Sequence, residues 1–190
     1  MGLMTVIAFT PKRHADTRGW FSETWNRERF EAAGIVADFC QDNHSLSKSA
    51  GTLRGLHFQT PPFAQAKLVR CLHGRVFDVA VDLRRESPTW KQWVGIELTA
   101  EQGNQLFIPP GYGHGFLTLE PDSEIAYKVD NYYNPEADGG VIWNDPEIHI
   151  EWPLDGIEPL LSAKDVALPT LAQIRIDFPY NGKPLLPLTN

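Results

Sequence analysis

The chain has 190 residues, a formal charge of −7 and 42% hydrophobic side chains. That length and composition suit one domain with a sizeable core and exclude global disorder. The acidic balance excludes general nucleic-acid binding, which needs a basic face, yet leaves room for a small anionic ligand held by a few local cations.

No apolar run reaches the length of a membrane span, and the opening MGLMTVIAFTPKRH lacks a leader-like apolar core. Cys40 and Cys71 are too few for a disulfide framework, form no CxxC pair, and read as small buried apolar residues. A soluble cytoplasmic protein without membrane or nucleic-acid partners is expected.

The first expected element is a helix over residues 26–33 (NRERFEAA), with Asn26 as N-cap and Gly34 as its stop. From about residue 40 to 130 the pattern changes to short strands and turns. GTLRGLHFQ, residues 51–59, alternates like a strand but sets Arg54 and His57 among apolar neighbours. Residues 67–72 and 76–83 flank His73-Gly74-Arg75 and predict a hairpin. In the second of these strands Phe77, Val79, Val81 and Leu83 share one face, and Val76, Asp78, Ala80 and Asp82 the other. The acidic face would be wet in an open sheet and lumenal in a barrel.

Further strands are expected at 93–98, 105–108, 116–119 and 124–129, punctuated by Pro109-Pro110-Gly111 and Pro121-Asp122. Many short strands at regular spacing predict an all-β sandwich or barrel. One or two short helices are expected after Ser162, followed by a proline-rich tail at 184–187. No repeat or internal boundary is visible, so residues 1–190 read as a single domain with a short C-terminal extension from about residue 160.

Residues 103–114, GNQLFIPPGYGH, have the spacing G-x5-P-x-G-x2-H. A strand enters a Pro/Gly turn that presents a histidine at the start of the next strand. This spacing resembles the second motif of the cupin superfamily, whose fold is a jelly-roll or double-stranded β-helix barrel. His114 is then either a hydrogen-bonded structural histidine or part of a site. Many cupins bind a metal, but a strand that ligates through one face needs a strong second donor two residues on, and here that residue is Gln59. His57 and His114 alone are too few for a tight metal site. The reading is therefore a cupin without metal or other cofactor, which turns attention to His57 as a base.

Five segments in order, GTLRGLHFQ, AQAKLVRCLHGRVFDVAVDLR, FIPPGYGHGF, YKVDNYYNPEADGGVIWNDP and LSAKD, resemble the dTDP-4-dehydrorhamnose 3,5-epimerase family over about residues 5 to 175. The resemblance implies a mainly all-β cupin-type jelly roll with short peripheral helices. It implies inversion of C3 and C5 of dTDP-4-dehydro-6-deoxy-D-glucose, giving dTDP-4-dehydro-L-rhamnose on the way to dTDP-L-rhamnose. It also implies a homodimer that shares its N-terminal strands. By this resemblance His57 is the base, Asp165 its paired carboxylate, Tyr127 the opposing acid, and Lys67 a cation beside the substrate. Arg18, Glu23, Gln41, Asn43, Arg54, Asp78, His114 and Tyr133 are implied in substrate binding, some of them across the subunit boundary.

The chemistry asks for these residue types on its own terms. A ketone at C4 acidifies the protons on C3 and C5, because the carbanion is an enolate. Imidazole, ordinarily near pKa 6.5, is a neutral yet competent base. A carboxylate on its other nitrogen fixes the tautomer. Inversion needs a donor on the opposite face, and a cation can stabilise the enolate oxygen. Arginine forks suit a diphosphate, and aromatics stack on bases.

Each residue also has a plainer reading. Ser162 and Asp165 form S-x-x-D, a helix capping box, and from spacing alone that is the stronger reading of Asp165. Tyr127 alternates with Ile125 and Val129 as a core tyrosine would, Lys67 fits a solvated strand end, and Trp20 and Tyr133 fit ordinary packing. Strict alternation would point Arg54 and His57 to opposite faces; Gly55 between them is expected to mark a bulge that brings both inward. The remaining alternatives are a single-carbon epimerase on a related nucleotide 4-keto sugar, a metal-dependent cupin and a non-catalytic cupin binder.

Overall fold

A computed structural model describes residues 5–188. The first four residues of the opening MGLMTVIAFTPKRH lie outside the described residues. In chain order the elements are β1 (Ile7–Phe9), β2 (Arg13–Asp16), β3 (Gly19–Ser22), α1 (Arg27–Ala32), β4 (Gln41–Ser47), β5 (Leu53–Gln59), β6 (Lys67–His73), β7 (Arg75–Asp82), β8 (Trp93–Thr99), β9 (Gln105–Ile108), β10 (Tyr112–Thr118), β11 (Ser123–Val129), β12 (Asp138–Gly140) and α2 (Ala163–Val166), followed by a 3-10 turn at Leu171–Gln173. Two five-stranded sheets, β1-β9-β6-β11-β4 and β12-β5-β10-β7-β8, form the cupin-type jelly roll; β2 and β3 make a separate hairpin.

Alternation explains the layers. Val76 and Ala80 of β7 join Val69, Cys71, Leu106, Ile108, Phe116 and Ile125 in the core between the sheets. Val79, Val81 and Leu83 point the other way, into an outer layer completed by Val141, Ile148, Leu171, Ile176 and Phe178 of the C-terminal segment. The acidic positions Asp78 and Asp82 are therefore lumenal, and both are 0% exposed. Asp82 is satisfied by Arg84, whose Nε and Nη2 donate to its two oxygens at 2.8 and 2.7 Å. Arg84 also donates to Asn181 Oδ1 at 2.9 Å and so ties down the tail.

The helix α1 starts as expected, with the Asn26 side chain accepting from the Arg29 N–H. The hairpin expected around Gly74 does not form. β6 pairs with β9 and β11, and β7 pairs with β8 and β10. Gly74, at φ 72°, is the corner where the chain passes from one sheet to the other. A β-carbon there would sit 2.5 Å from Ser123 Oγ. A positive-φ glycine serves a corner between sheets as well as a hairpin, and long-range pairing decides between them. β10 begins at Tyr112 rather than residue 116. Pairing on both of its edges, to β5 and β7, overrides the poor strand propensity of Gly113 and Gly115.

Candidate active site

β5 carries the feature that makes a site. Against β10, His57 pairs with His114 and Arg54 with Phe116, so three steps on one strand oppose two on the other. This bulge cancels the alternation and puts Arg54 and His57 on one face, as expected at Gly55. Gly55 has φ 122°, and the Gly55–Leu56 peptide is cis. A β-carbon at Gly55 would lie 2.6 Å from Gly115 Cα, so two glycines are needed where the strands touch.

The two sheets open at one end into a cleft of about 420 Å³. Arg54, His57, Gln59 and His114 line it from one sheet, and Asn43, Lys67 and Tyr127 from the other; Tyr133, Asp138, Ser162, Lys164 and Asp165 border it from the connecting segments and α2. A second groove of about 250 Å³ lies on the outer face of the β4–β11–β6 sheet, beside Trp25, Arg70 and Lys128. It is lined by neither His57, His114 nor Asp165.

His57 Nε2 lies 2.6 Å from Asp165 Oδ1. The His57 side chain is 31% exposed and that of Asp165 4%, so the imidazole opens on the cleft while the carboxylate is shut away from solvent. An acceptor-only carboxylate requires the proton on Nε2, which places the basic lone pair on Nδ1. Burial pushes the His57 pKa below its ordinary value; Asp165 opposes that shift, and Lys67 and Lys164 add to it. The ring is thus neutral near pH 7. Burial likewise raises the Tyr127 phenol, partly offset by Arg54, so the phenol keeps its proton. Burial lowers Lys67 to about 8, against the favourable charges of Asp78 and Asp138. Lys67 is buried, not a solvated strand end.

His114 is buried in the middle of β10, with Nε2 3.1 Å from both oxygens of Asp78. Asp78 stands behind His114, with no exposed surface. Arg54 donates to Ser47 Oγ and to the Leu46 carbonyl, each at 3.2 Å, which holds its guanidinium at the rim. Gln41 sits just beyond the cleft wall, where it donates to Asn43 Oδ1 and accepts the Tyr133 N–H. Tyr133 is 57% exposed, with its hydroxyl 3.2 Å from Asp138 Oδ2.

Besides Gln41 and Asp78, which stand behind the cleft wall, two of the expected residues lie away from this chain's own cleft. Arg18 lies at the β2–β3 turn, paired with Asp16 at 2.6 Å and largely exposed. Glu23 pairs with Arg29 at 3.0 Å. Trp20 is exposed on the same hairpin, under the Arg13 guanidinium. The cleft adds two residues that sequence reasoning missed, Lys164 and Asp138, ion-paired at 2.5 Å. Both lie inside motifs quoted above, SAKD and NPEADGG, and that was the only signal for them.

Gln59 is a wall residue. Its Nε2 donates to the Phe63 and Tyr132 carbonyls at 2.7 and 3.2 Å, and its Oε1 accepts from the Asn134 N–H at 2.7 Å. With its amide committed to two loops it is a poor metal donor, and among the described residues no three His, Cys, Asp or Glu side chains cluster to hold an ion. Dialysis against a strong chelator is expected to leave turnover unchanged. Loss of turnover that Fe, Mn or Zn restores would contradict that expectation.

A family model for dTDP-4-dehydrorhamnose 3,5-epimerase matches residues 1–173. The chain belongs to that family. Among curated relatives, the dTDP-4-dehydrorhamnose 3,5-epimerase of Salmonella typhimurium is 53% identical over 169 residues, 88% of this chain and 91% of the relative. The crystal structure of the Bacillus anthracis enzyme with TDP and PPi bound is 48% identical, with a TM-score of 0.85 over 87% of this chain and 94% of that one. The Legionella pneumophila enzyme in complex with dTDP-4-keto-L-rhamnose is 44% identical, with a TM-score of 0.85 over 90% of this chain and 89% of that one. The fold and the order of the motifs agree with membership.

Proposed function

We propose a division of labour for an epimerase that inverts C3 and C5 of dTDP-4-dehydro-6-deoxy-D-glucose. His57 removes the proton alpha to the C4 ketone through Nδ1, and Asp165 supports the imidazolium that forms. The Lys67 ammonium stabilises charge on the enolate oxygen, where burial makes that charge interaction worth more than in water. Tyr127 returns a proton to the other face of the ring. The observation that carries this reading is the placement of His57 on β5 and Tyr127 on β11, in facing sheets on either side of one cleft. A base and an acid on the same wall would favour exchange without inversion. The test is proton NMR of the 4-keto sugar nucleotide in deuterated water with the pure protein. Loss of the C3 and C5 proton signals with appearance of the L-configured product is expected; a substrate left unchanged would overturn the reading.

Arg54 is assigned to the diphosphate, with Asn43, His114 and Tyr133 as further contacts from the cleft and Gln41 and Asp78 behind them. A charge-assisted bond to phosphate is worth about 1.5–3 kcal/mol. Arg54→Ala is accordingly expected to weaken dTDP by roughly 10- to 100-fold in calorimetry while a free hexose analogue is little affected. Equal affinity of wild type and variant would remove Arg54 from that role.

Arg18 and Glu23 are assigned to the cleft of a second copy, reached by the exposed β2–β3 hairpin in a homodimer. The exposed Trp20 and Phe21 on that hairpin support this reading. The chain as a whole acts as one domain, its C-terminal segment completing the outer layer. A cytoplasmic place follows from a nucleotide-sugar substrate; among the described residues no helix is long and apolar enough to cross a membrane.

A further inference from the structure

Ser162 has no part in the division of labour above, yet its hydroxyl is bonded to it. As N-cap of α2, Ser162 Oγ accepts the Asp165 N–H at 3.1 Å. The same hydroxyl donates to Asp165 Oδ2 at 2.6 Å. In a full capping box the carboxylate of the third helical residue reaches back to the N-cap backbone N–H. Here it is turned into the site: Oδ1 faces His57 Nε2 at 2.6 Å and the Gly55 N–H at 3.4 Å, and Oδ2 takes the serine proton.

We infer that Ser162 is a positioning residue for proton abstraction, its hydroxyl fixing the rotation of Asp165 so that Oδ1 stays aligned with His57. This rests on the reading of His57 as the base. The terminal torsion of an aspartate lies in a broad two-fold well, so His57 and the long Gly55 N–H contact, both on Oδ1, do not fix its plane. With the carboxylate 4% exposed, solvent is poorly placed to supply the second donor. A donor on each oxygen sets the plane. The plainer reading of SAKD as a helix cap and its catalytic reading are thus one arrangement: the cap that starts α2 also aims its acid.

Among the described residues, the charged and titratable groups that share the cleft with His57 are Asp165 and Lys164 of α2, Lys67 of β6, Asp138 of β12, Tyr133, and Arg54, His44, His114 and Tyr127 of the cleft walls. Of these Asp165 raises the His57 pKa against burial, Lys67 and Lys164. A carboxylate turned off line gives up part of that support. The acid limb of the rate profile then moves to lower pH while its plateau falls.

The test compares wild type, Ser162→Gly and Ser162→Thr in the deuterium-exchange and inversion assay across pH. Glycine is close to serine as an N-cap, so α2 persists while the hydroxyl is gone. Hydrogen-bond partners that orient a metal-ligating side chain are typically worth about 10- to 100-fold in activity; a fall of kcat of that order is expected for Ser162→Gly, with KM little changed and the acid limb shifted down. Ser162→Thr, which keeps the hydroxyl, is expected to stay near wild type. In an Asp165→Asn background Ser162→Gly should add no further loss, because it acts through that carboxylate.

Should the glycine variant fail to fold, Ser162→Cys keeps the size, offers only a weak donor and carries the same expectation. A wild-type kcat and acid limb in these variants, a threonine variant as slow as the glycine one, or a fully additive loss in the Asp165→Asn background would each overturn the inference. Absence of exchange in the wild type would sink the epimerase reading with it; exchange in the wild type with an indifferent Ser162→Gly would sink this inference alone.

Discussion

Tyr127→Phe is expected to go on exchanging substrate protons with solvent while its rate of inversion falls by about 10²–10⁴-fold, the range typical of a general acid. The substitution removes one oxygen and leaves the ring, which packs against the core between the sheets, in place. His57 and Asp165 are untouched, so the enolate still forms. With no phenol on the facing wall, His57 hands a solvent deuteron back to the side it came from. His57→Ala is expected to lose both exchange and inversion, because among the described residues the other histidine of that wall, His114, is bonded to Asp78 rather than to Asp165. The pair of outcomes separates base from acid in one assay. A Tyr127→Phe enzyme that inverts both carbons at the wild-type rate would make the tyrosine a packing residue, and an ordered water or another donor would have to supply the proton.

Asp165→Asn carries an effect of similar size. An amide presented to His57 Nε2 can offer an N–H where the carboxylate offered only lone pairs. The imidazole then takes the other tautomer, with its proton on Nδ1 and no basic lone pair toward the sugar. Loss of the equivalent tautomer control in hydrolytic triads costs about 10⁴-fold, and a fall in kcat of about 10³–10⁴-fold is expected here. The pH profile adds a sign. Asp165 is the neighbour that raises the His57 pKa, so its removal moves the acid limb to lower pH. The alkaline limb, set by Lys67 near 8, is expected to stay, since the charges acting on Lys67 are Asp78, Asp138 and Lys164 rather than Asp165. Unchanged kcat in Asp165→Asn would leave the residue as a helix cap alone.

What was legible in the sequence was whatever a local pattern determines. The 105–108 strand, the Asn26 cap and the two faces of β7 follow from periodicity and capping chemistry, and the structure has them where expected. The bulge at Gly55 was legible too, because an arginine and a histidine three apart conflict with a two-residue period unless something slips. Partner choice was not legible. Gly74 reads as a hairpin turn, but a corner between sheets uses the same glycine, and only the pairing of β6 with β9 and of β7 with β8 distinguishes them. β12 is three residues, Asp138–Gly140, with two glycines, and it exists because β5 needs a neighbour on its free side. The same limit hid two cleft residues. Lys164 and Asp138 are 26 positions apart and meet only once α2 and β12 both flank β5.

The slip in β5 has a consequence for anyone redesigning this protein. Redrawing β5 at unchanged length as a regular two-residue ladder against β10, with a β-branched residue in place of Gly55, would relieve the chain of a positive-φ position. By every local criterion of strand quality the redrawn strand would be improved. It would also turn one of Arg54 and His57 out of the cleft toward the apolar layer of Leu56 and Val141. A backbone-idealising design procedure, scoring regularity, would remove the site first, and the resulting protein could be well folded and inert. In this strand the irregular residue is what keeps base and cation on one wall.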